Sequence, residues 1–384
     1  MKKIYYITAV FATLFLVGCG DGIDLPGVNV ETDLNKIPLP DNNVNLEQVE
    51  LKPSTEPMLH EGLHTEEDFQ RIRDKKAAGE EPWVSAYQLL VESQFSQKTA
   101  DTYPTEWIKR GVSGDENYMN AARGATIAYQ QALRWKIEQD DEYAAKAVEN
   151  LNKWVQTCVG VTGNTNLSLA AGLYGYEFAI AGELLRDYEG WDRADFAAFQ
   201  NWLLKVFYPA NDDFLKRHHD TNALHYWANW CLCNIAAKMA IGIVTDRRDI
   251  YNEGIDHLQT GDTNGRLRRA IYHDYAPDYN FAQWQESGRD QGHTLMCVGL
   301  MGVICQLAWS QGDDFFAYDD NLFMRACEYA ACCNYTNETV PYTTYIWQKQ
   351  SQWGYPIPEE QTTLGGGKWI KRAIWALPYY HYKG

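Results

Sequence analysis

Residues 118–334 repeat one pattern. An apolar residue recurs at every third or fourth position, a break carrying Gly, Asn or Asp follows, and the period resumes. That period lays apolar side chains along one stripe of a helix. It predicts helices over residues 118–139, 141–157, 166–188, 193–206, 222–244, 248–260, 294–310 and 321–334. Two more precede them. Thr65-Glu66-Glu67-Asp68 is a capping signal for a helix through Phe69, Ile72 and Lys76, and residues 82–94 form a second. Residues 103–115 read as loop, residues 266–281 as extended or irregular, and residues 365–382 as one more helix or an aromatic closing segment. Helical hairpins of this length bury their stripes by stacking into a ring or a solenoid. No strict sequence repeat is present, so the expected fold is all-α, an incomplete (α/α) toroid of helical hairpins.

The N-terminus reads as an export signal. Lys2 and Lys3 precede a short apolar run, and Leu16-Val17-Gly18-Cys19 has the form of a lipobox, with Cys19 the lipidated first residue of the mature chain. The run is too short for a stable membrane span. Residues 1–19 are therefore expected to be a lipoprotein signal. Residues 20–57, rich in Asp, Asn and Pro, are expected to be a flexible linker, and residues 58–384 the folded domain. This predicts a bacterial protein in the periplasm or at the cell surface, touching membrane only through its lipid, and monomeric. Most of Cys158, Cys231, Cys233, Cys297, Cys305, Cys327, Cys332 and Cys333 fall in apolar helical runs and read as buried thiols. Their spacing does not fit a common zinc site, so no metal is expected.

A formal net charge of −17 argues against nucleic acid as a partner. An acidic substrate would need a local cluster of Arg, Lys and His. Aromatic residues are abundant, 14 Trp and 25 Tyr, and such an excess often lines clefts that stack on sugars.

Three stretches carry chemistry. Gln283-Trp284-Gln285-Glu286-Ser287-Gly288-Arg289-Asp290-Gln291-Gly292-His293 is almost wholly polar and runs straight into an apolar helix. So many hydrogen-bonding groups beside a buried helix must be paired or bind something. They are either a network stapling a helix N-terminus, with Asp290 near the cap, or one wall of an anion-binding site in which Arg289 forks a carboxylate. In Asn222-Ala223-Leu224-His225-Tyr226-Trp227-Ala228-Asn229-Trp230, helical spacing would put Asn222, His225 and Asn229 on one face. That suits either a neutral His that takes a proton beside carboxylate-binding amides, or a satisfied core His. Tyr272-His273-Asp274-Tyr275-Ala276-Pro277-Asp278-Tyr279 supplies phenols, of which Tyr279 and Tyr272 are the candidates. Arg123, on an otherwise apolar helix, is either a substrate contact or half of an ion pair. Glu286 and Asp290 leave a hydrolytic carboxylate pair open. Dinucleotide, P-loop, zinc-protease and serine-hydrolase motifs are lacking.

Gln285-Glu286-Ser287-Gly288-Arg289-Asp290-Gln291-Gly292-His293, with Tyr226-Trp227-Ala228-Asn229-Trp230 and Ala308-Trp309-Ser310-Gln311-Gly312-Asp313-Asp314, resembles the alginate-lyase-like domain, closest to polysaccharide lyase family 38. The resemblance runs from about residue 60 to the end. It implies an (α/α) toroid that cleaves a uronic-acid polymer such as alginate or glucuronan by β-elimination, leaving a 4,5-unsaturated uronate and needing no cofactor. It further implies that His225 is the family's helix-borne histidine and that Asn222, Asn229 and Arg289 neutralise the carboxylate. The catalytic phenol comes from residues 272–279, with Tyr279 favoured and Tyr272 its rival. Trp227, Gln285, Glu286, His293 and Arg123 would line the substrate. Related family 5 lyases keep adjacent Asn and His where this chain reads Asn222-Ala223-Leu224-His225. A glycoside hydrolase on the same architecture and a non-catalytic glycan-binding lipoprotein are the competing functions.

Overall fold

The computed structural model describes residues 54–383. The expected signal, its lipobox at Cys19, and the linker up to residue 53 lie outside the described residues. Thr65 opens α1 (Glu66–Ala77) with a reciprocal cap: its hydroxyl accepts the Asp68 N–H at 3.2 Å, and Asp68 accepts the Thr65 N–H at 2.9 Å. α2 (Trp83–Glu92) and strand β1 (Trp107–Arg110) follow. The hairpins then begin: α3 (Tyr118–Glu138), α4 (Asp141–Thr157), strand β2 (Gly160–Gly163), α5 (Leu167–Leu184), α6 (Arg193–Val206), α7 (Tyr208–Arg217), α8 (Ala228–Val244) and α9 (Arg248–Thr260). A short helix α10 (Leu267–Ala270) leads into the antiparallel pair β3 (Ile271–Asp274) and β4 (Ala282–Trp284). α11 (Gln291–Trp309), α12 (Tyr318–Tyr335), the hairpin β5 (Tyr345–Gln350) with β6 (Pro356–Gln361), and α13 (Ala376–Lys383) complete the chain.

The helices sort into two layers by composition. Every residue of α8 is buried, as is every residue of α5 after Leu167, and α11 is nearly as dry. These all-round apolar helices can only be inner staves. α5 packs on α3 and α8, and α8 packs on α11. α4 and α9 keep a polar outer face and form the outer layer. The result is an open (α/α) toroid. Its inner helices start together at one end: β1 and β2, which feed α3 and α5, pair in parallel with Arg110 opposite Gly163.

The opposite end is crossed by residues 54–65. Gln311, beyond the end of α11, accepts the Leu59 N–H at 2.9 Å and donates to the Leu59 and Glu61 carbonyls at 3.0 and 2.7 Å. Asp246, beyond the end of α8, meets His60 at 2.9 Å, while Met58 and Leu63 are buried in the core. Asn252 donates to the Ser54 carbonyl at 2.8 Å and Arg248 to that of Glu56 at 2.7 Å. Three of the last four residues of the expected linker, Ser54, Glu56 and Pro57, are thus hydrogen-bonded to α9.

Three helices match the sequence expectation residue for residue, α4, α6 and α9. The largest difference is α8, which starts at Ala228 rather than at residue 222. Asn222 takes the Leu224 N–H on its own side chain at 3.0 Å, an Asx turn that competes with helix. The helix after residue 166 ends at Leu184 instead of 188, and α7 and the β5–β6 hairpin are additional. All eight cysteines in the described residues are free, and all but Cys332 are buried.

Candidate active site

The polar stretch 283–293 serves the scaffold first. α8 has no capping side chain of its own. Its orphan N–H groups are met from β4 and beyond: Gln285 Oε1 accepts from Ala228 at 2.9 Å and Glu286 Oε1 from Asn229 at 3.2 Å. A buried carboxylate at a helix N-terminus also complements the helix dipole. Asp290 caps α11, accepting the His293 N–H at 2.8 Å, and its other oxygen meets His293 Nδ1 at 2.6 Å. The bond from His293 holds the Asp290 carboxyl below the usual carboxylate range against the opposing effect of burial. Gln283 is fully buried: it accepts from the Thr343 N–H at 2.9 Å and donates to Tyr272 Oη at 2.9 Å. Glu286 is fully buried and Asp290 is committed to its cap, so this pair has no open face from which to hydrolyse a glycoside.

What this network presents outward is Arg289. Its Nη1 donates to Glu286 Oε2 at 3.3 Å, and its guanidinium lies 5.2 Å from the Trp227 ring centroid. Trp227 meets Trp347 of β5 at 5.0 Å, and Trp347 stacks on His225 at 5.8 Å and 12°. Imidazole and guanidinium therefore sit at the two ends of one aromatic wall.

The loop carrying His225 is pinned from two sides. Asn264 donates to the carbonyls of Leu224 and Tyr226 at 3.1 and 2.9 Å, and Asn222 donates to Gln348 O and Gln350 Oε1 at 3.0 and 2.9 Å. β5 then fixes the imidazole itself. The Gln350 backbone N–H donates to His225 Nδ1 at 2.8 Å, and Trp347 Nε1 donates to the His225 carbonyl at 2.6 Å. Burial, aided by Lys349, lowers the His225 pKa to about 4, so the ring is neutral at pH 7. A neutral imidazole whose Nδ1 accepts must carry its hydrogen on Nε2. His225 thus offers a hydrogen-bond donor, the group that binds a carboxylate, and not a lone pair that removes a proton.

A second imidazole lies on the other side of Tyr226. His219 precedes α8 and is half-buried, which lowers its pKa, while a backbone hydrogen bond to Thr165 acts in the opposite sense. Its Nε2 lies 2.9 Å from Ser168 Oγ at the start of α5. In the tautomer that carries its hydrogen on Nδ1, Nε2 accepts from Ser168 and is the basic nitrogen. Tyr226 sits between the two histidines, 4.8 Å from His225 and 5.7 Å from His219, ring to ring. Burial raises its pKa and keeps the phenol protonated. His219 and the role of Tyr226 were missed in the sequence. The only local signal was the adjacent pair His218-His219, and its meaning depends on contact with α5.

The remaining sequence candidates lie elsewhere. Asn229 is fully buried on α8 with its Nδ2 against Met296 Sδ at 3.4 Å, and Asn222 is spent on β5, so neither amide shares a face with the His225 imidazole. Tyr272 is buried, donates to the Thr343 carbonyl, and burial raises its pKa. Tyr279 is 53 % exposed on a turn, its ring 6.5 Å from Tyr275, which stacks on Tyr329 of α12 at 6.1 Å. Of the phenols expected to join His225 and Arg289, Tyr272 reaches the aromatic wall only through Tyr345, at 5.2 Å, with its hydroxyl already bonded to the Thr343 carbonyl and Gln283. Arg123 is exposed on α3, 5.6 Å from the Tyr103 ring.

A family model described as alginate lyase matches residues 72–338. Among solved structures, alginate lyase A1-III from Sphingomonas species A1 shares the fold with a TM-score of 0.50 at 13 % identity, over 72 % of this chain and 79 % of that one. A histidine-to-alanine variant of alginate lyase A1-III complexed with a tetrasaccharide gives 0.55 at 13 %, over 72 % and 78 %. An alginate lyase from Bacteroides ovatus gives 0.52 at 15 %, over 70 % and 82 %. No curated protein matches the sequence. The family match runs from within α1 to α12 and takes in His225, Trp227 and Arg289, while Trp347 lies beyond its end: the chain belongs to the alginate lyase family and is a polysaccharide lyase.

Proposed function

We propose that this lyase cleaves a uronic-acid polymer, alginate or glucuronan, by β-elimination. The observation that carries the reading is two histidines, His225 and His219, whose pKa values burial lowers, on either side of the Tyr226 phenol, whose pKa burial raises. The His225 Nε2–H takes the uronate carboxylate, which draws off charge as C5 loses its proton, while Arg289 adds positive charge at the other end of the aromatic wall. His219 Nε2 accepts that proton. The C5–H electrons form the C4=C5 bond, the C4–O4 bond breaks, and Tyr226 protonates the departing O4. Imidazolium then returns a proton to phenolate, and the product keeps an unsaturated uronate at its new end. No cofactor enters this scheme.

The same reading makes Cys19 the lipid-bearing residue and places the enzyme in the periplasm or at the cell surface, where such polymers are met. The test is absorbance of the conjugated C=C–COO⁻ group on incubation with polymannuronate, polyguluronate and glucuronan in parallel. Growth of that absorbance on at least one polymer is expected. Chain shortening without it would mean hydrolysis and would reject elimination.

A further inference from the structure

β5 does more than fix His225. Alternate residues of a strand share a face, and Tyr345 and Trp347 both contact Trp227, at 6.1 and 5.0 Å. Lys349 is next on that face. Its side chain is 41 % exposed, and its ammonium lies 5.7 Å from the Trp347 ring and is close enough to His225 to help hold it neutral. Its carboxylate neighbour, Glu359 on β6, is 4.0 Å away and half-exposed, a pairing worth little in water.

The strand ends in a built turn. Ser351 Oγ accepts the N–H groups of Trp353 and Tyr355 at 3.3 and 3.1 Å, Ser351 N–H donates to the Tyr355 carbonyl at 2.9 Å, and Gly354 takes a φ of +88° that favours glycine. On this turn Trp353 is 60 % exposed, more than any other large hydrophobic residue among those described, and lies parallel to Tyr355 at 6.2 Å and 11°. A flat, rigidly mounted and solvent-facing pair of rings is costly to leave bare unless something stacks on it.

We propose that the β5–β6 hairpin is a distal subsite for the acidic polysaccharide: Lys349 takes a carboxylate next to the reacting sugar, and the Trp353–Tyr355 platform stacks a sugar farther along. Ser351 is about 13 Å along the strand from Trp347, and Trp353 lies on the turn beyond it. The subsite therefore serves long substrates and not short ones. This rests on the uronan-cleaving reading above.

The experiment compares the wild type with Trp353→Ala and Lys349→Gln on a uronate hexasaccharide and a trisaccharide, reading kcat and KM by the unsaturated-uronate absorbance. For Trp353→Ala, the ratio of kcat/KM on the longer to the shorter substrate should fall about 3- to 10-fold, the worth of one aromatic stack, through KM. For Lys349→Gln, KM should rise on both substrates and lose salt dependence. An unchanged ratio for Trp353→Ala overturns the platform, and an unchanged KM for Lys349→Gln overturns the carboxylate contact. If the wild type cleaves neither oligomer nor any uronan polymer, the uronan reading itself fails and the subsite with it.

Discussion

Glu286 is the residue through which the scaffold reaches the site, and its removal should register in both. The carboxylate is fully buried. One oxygen takes the Asn229 N–H at 3.2 Å, also with Cys297 Sγ at 3.9 Å, and the other takes Arg289 at 3.3 Å. Glu286→Ala leaves a buried backbone donor orphaned, which costs about 1–3 kcal/mol. Breaking a buried ion pair costs about 3–5 kcal/mol, but the Arg289 side chain is 22 % exposed, so water recovers part of that. A total of about 3–4 kcal/mol is expected, the lower end of the two costs combined. Glu286→Gln keeps a carbonyl for Asn229 and loses only the charge, so about 1–2 kcal/mol is expected. The assay is urea unfolding followed by circular dichroism, with midpoints compared at constant slope. In both variants Arg289 loses the Glu286 charge that orients it, so KM should rise as well. A Glu286→Ala midpoint within about 1 kcal/mol of the wild type would refute the double-anchor account. Equal losses in the two variants would show that charge, and not the cap on α8, is what matters.

The site makes a sharper kinetic statement. His219→Ala and Tyr226→Phe should each lower kcat by about 100-fold or more with KM nearly kept. Full activity in both, with loss in Tyr279→Phe or Tyr272→Phe, would return the chemistry to residues 272–279. Acid should destabilise the fold through its histidines. Burial lowers His64 and His257 to about 4 and His218 to about 3, from 6.5. Each stays neutral in the fold while the unfolded chain binds a proton below pH 6.5. Stability is therefore fully present above that pH and falls as pH drops toward 4, by at most about 3 kcal/mol for His64. Urea midpoints at pH 7.5 and 4.5 measure the drop, which should shrink in His257→Gln. A flat profile, or an undiminished drop in that variant, would contradict it.

The helical frame was legible because its signals are local. The α1 cap is written in residues 65–68, and the bounds of α4 and α6 follow from apolar period and acidic first turns. The start of α8 was not legible, since its cap comes from Gln285 and Glu286, distant in sequence. The polar run 283–293 announced itself by composition, and the capping reading offered for it holds at Asp290. The tautomer of His225 depends on a backbone N–H of β5, in a hairpin whose second strand carries Pro356 and Pro358. Proline within a run argues against a strand unless it is an edge, and β6 is an exposed edge. His219 gains its polarity only where α5 meets the turn before α8.

The strap over residues 54–65 sets the orientation of the whole body. It fastens beyond the trailing ends of α8 and α11, whereas His225 and Arg289 stand at their leading ends. A helix the length of α8 separates the two by about 25 Å. A polymer entering the mouth therefore meets none of this segment, and traction on residue 54 loads Gln311, Asp246 and α9 before it can disturb the imidazoles.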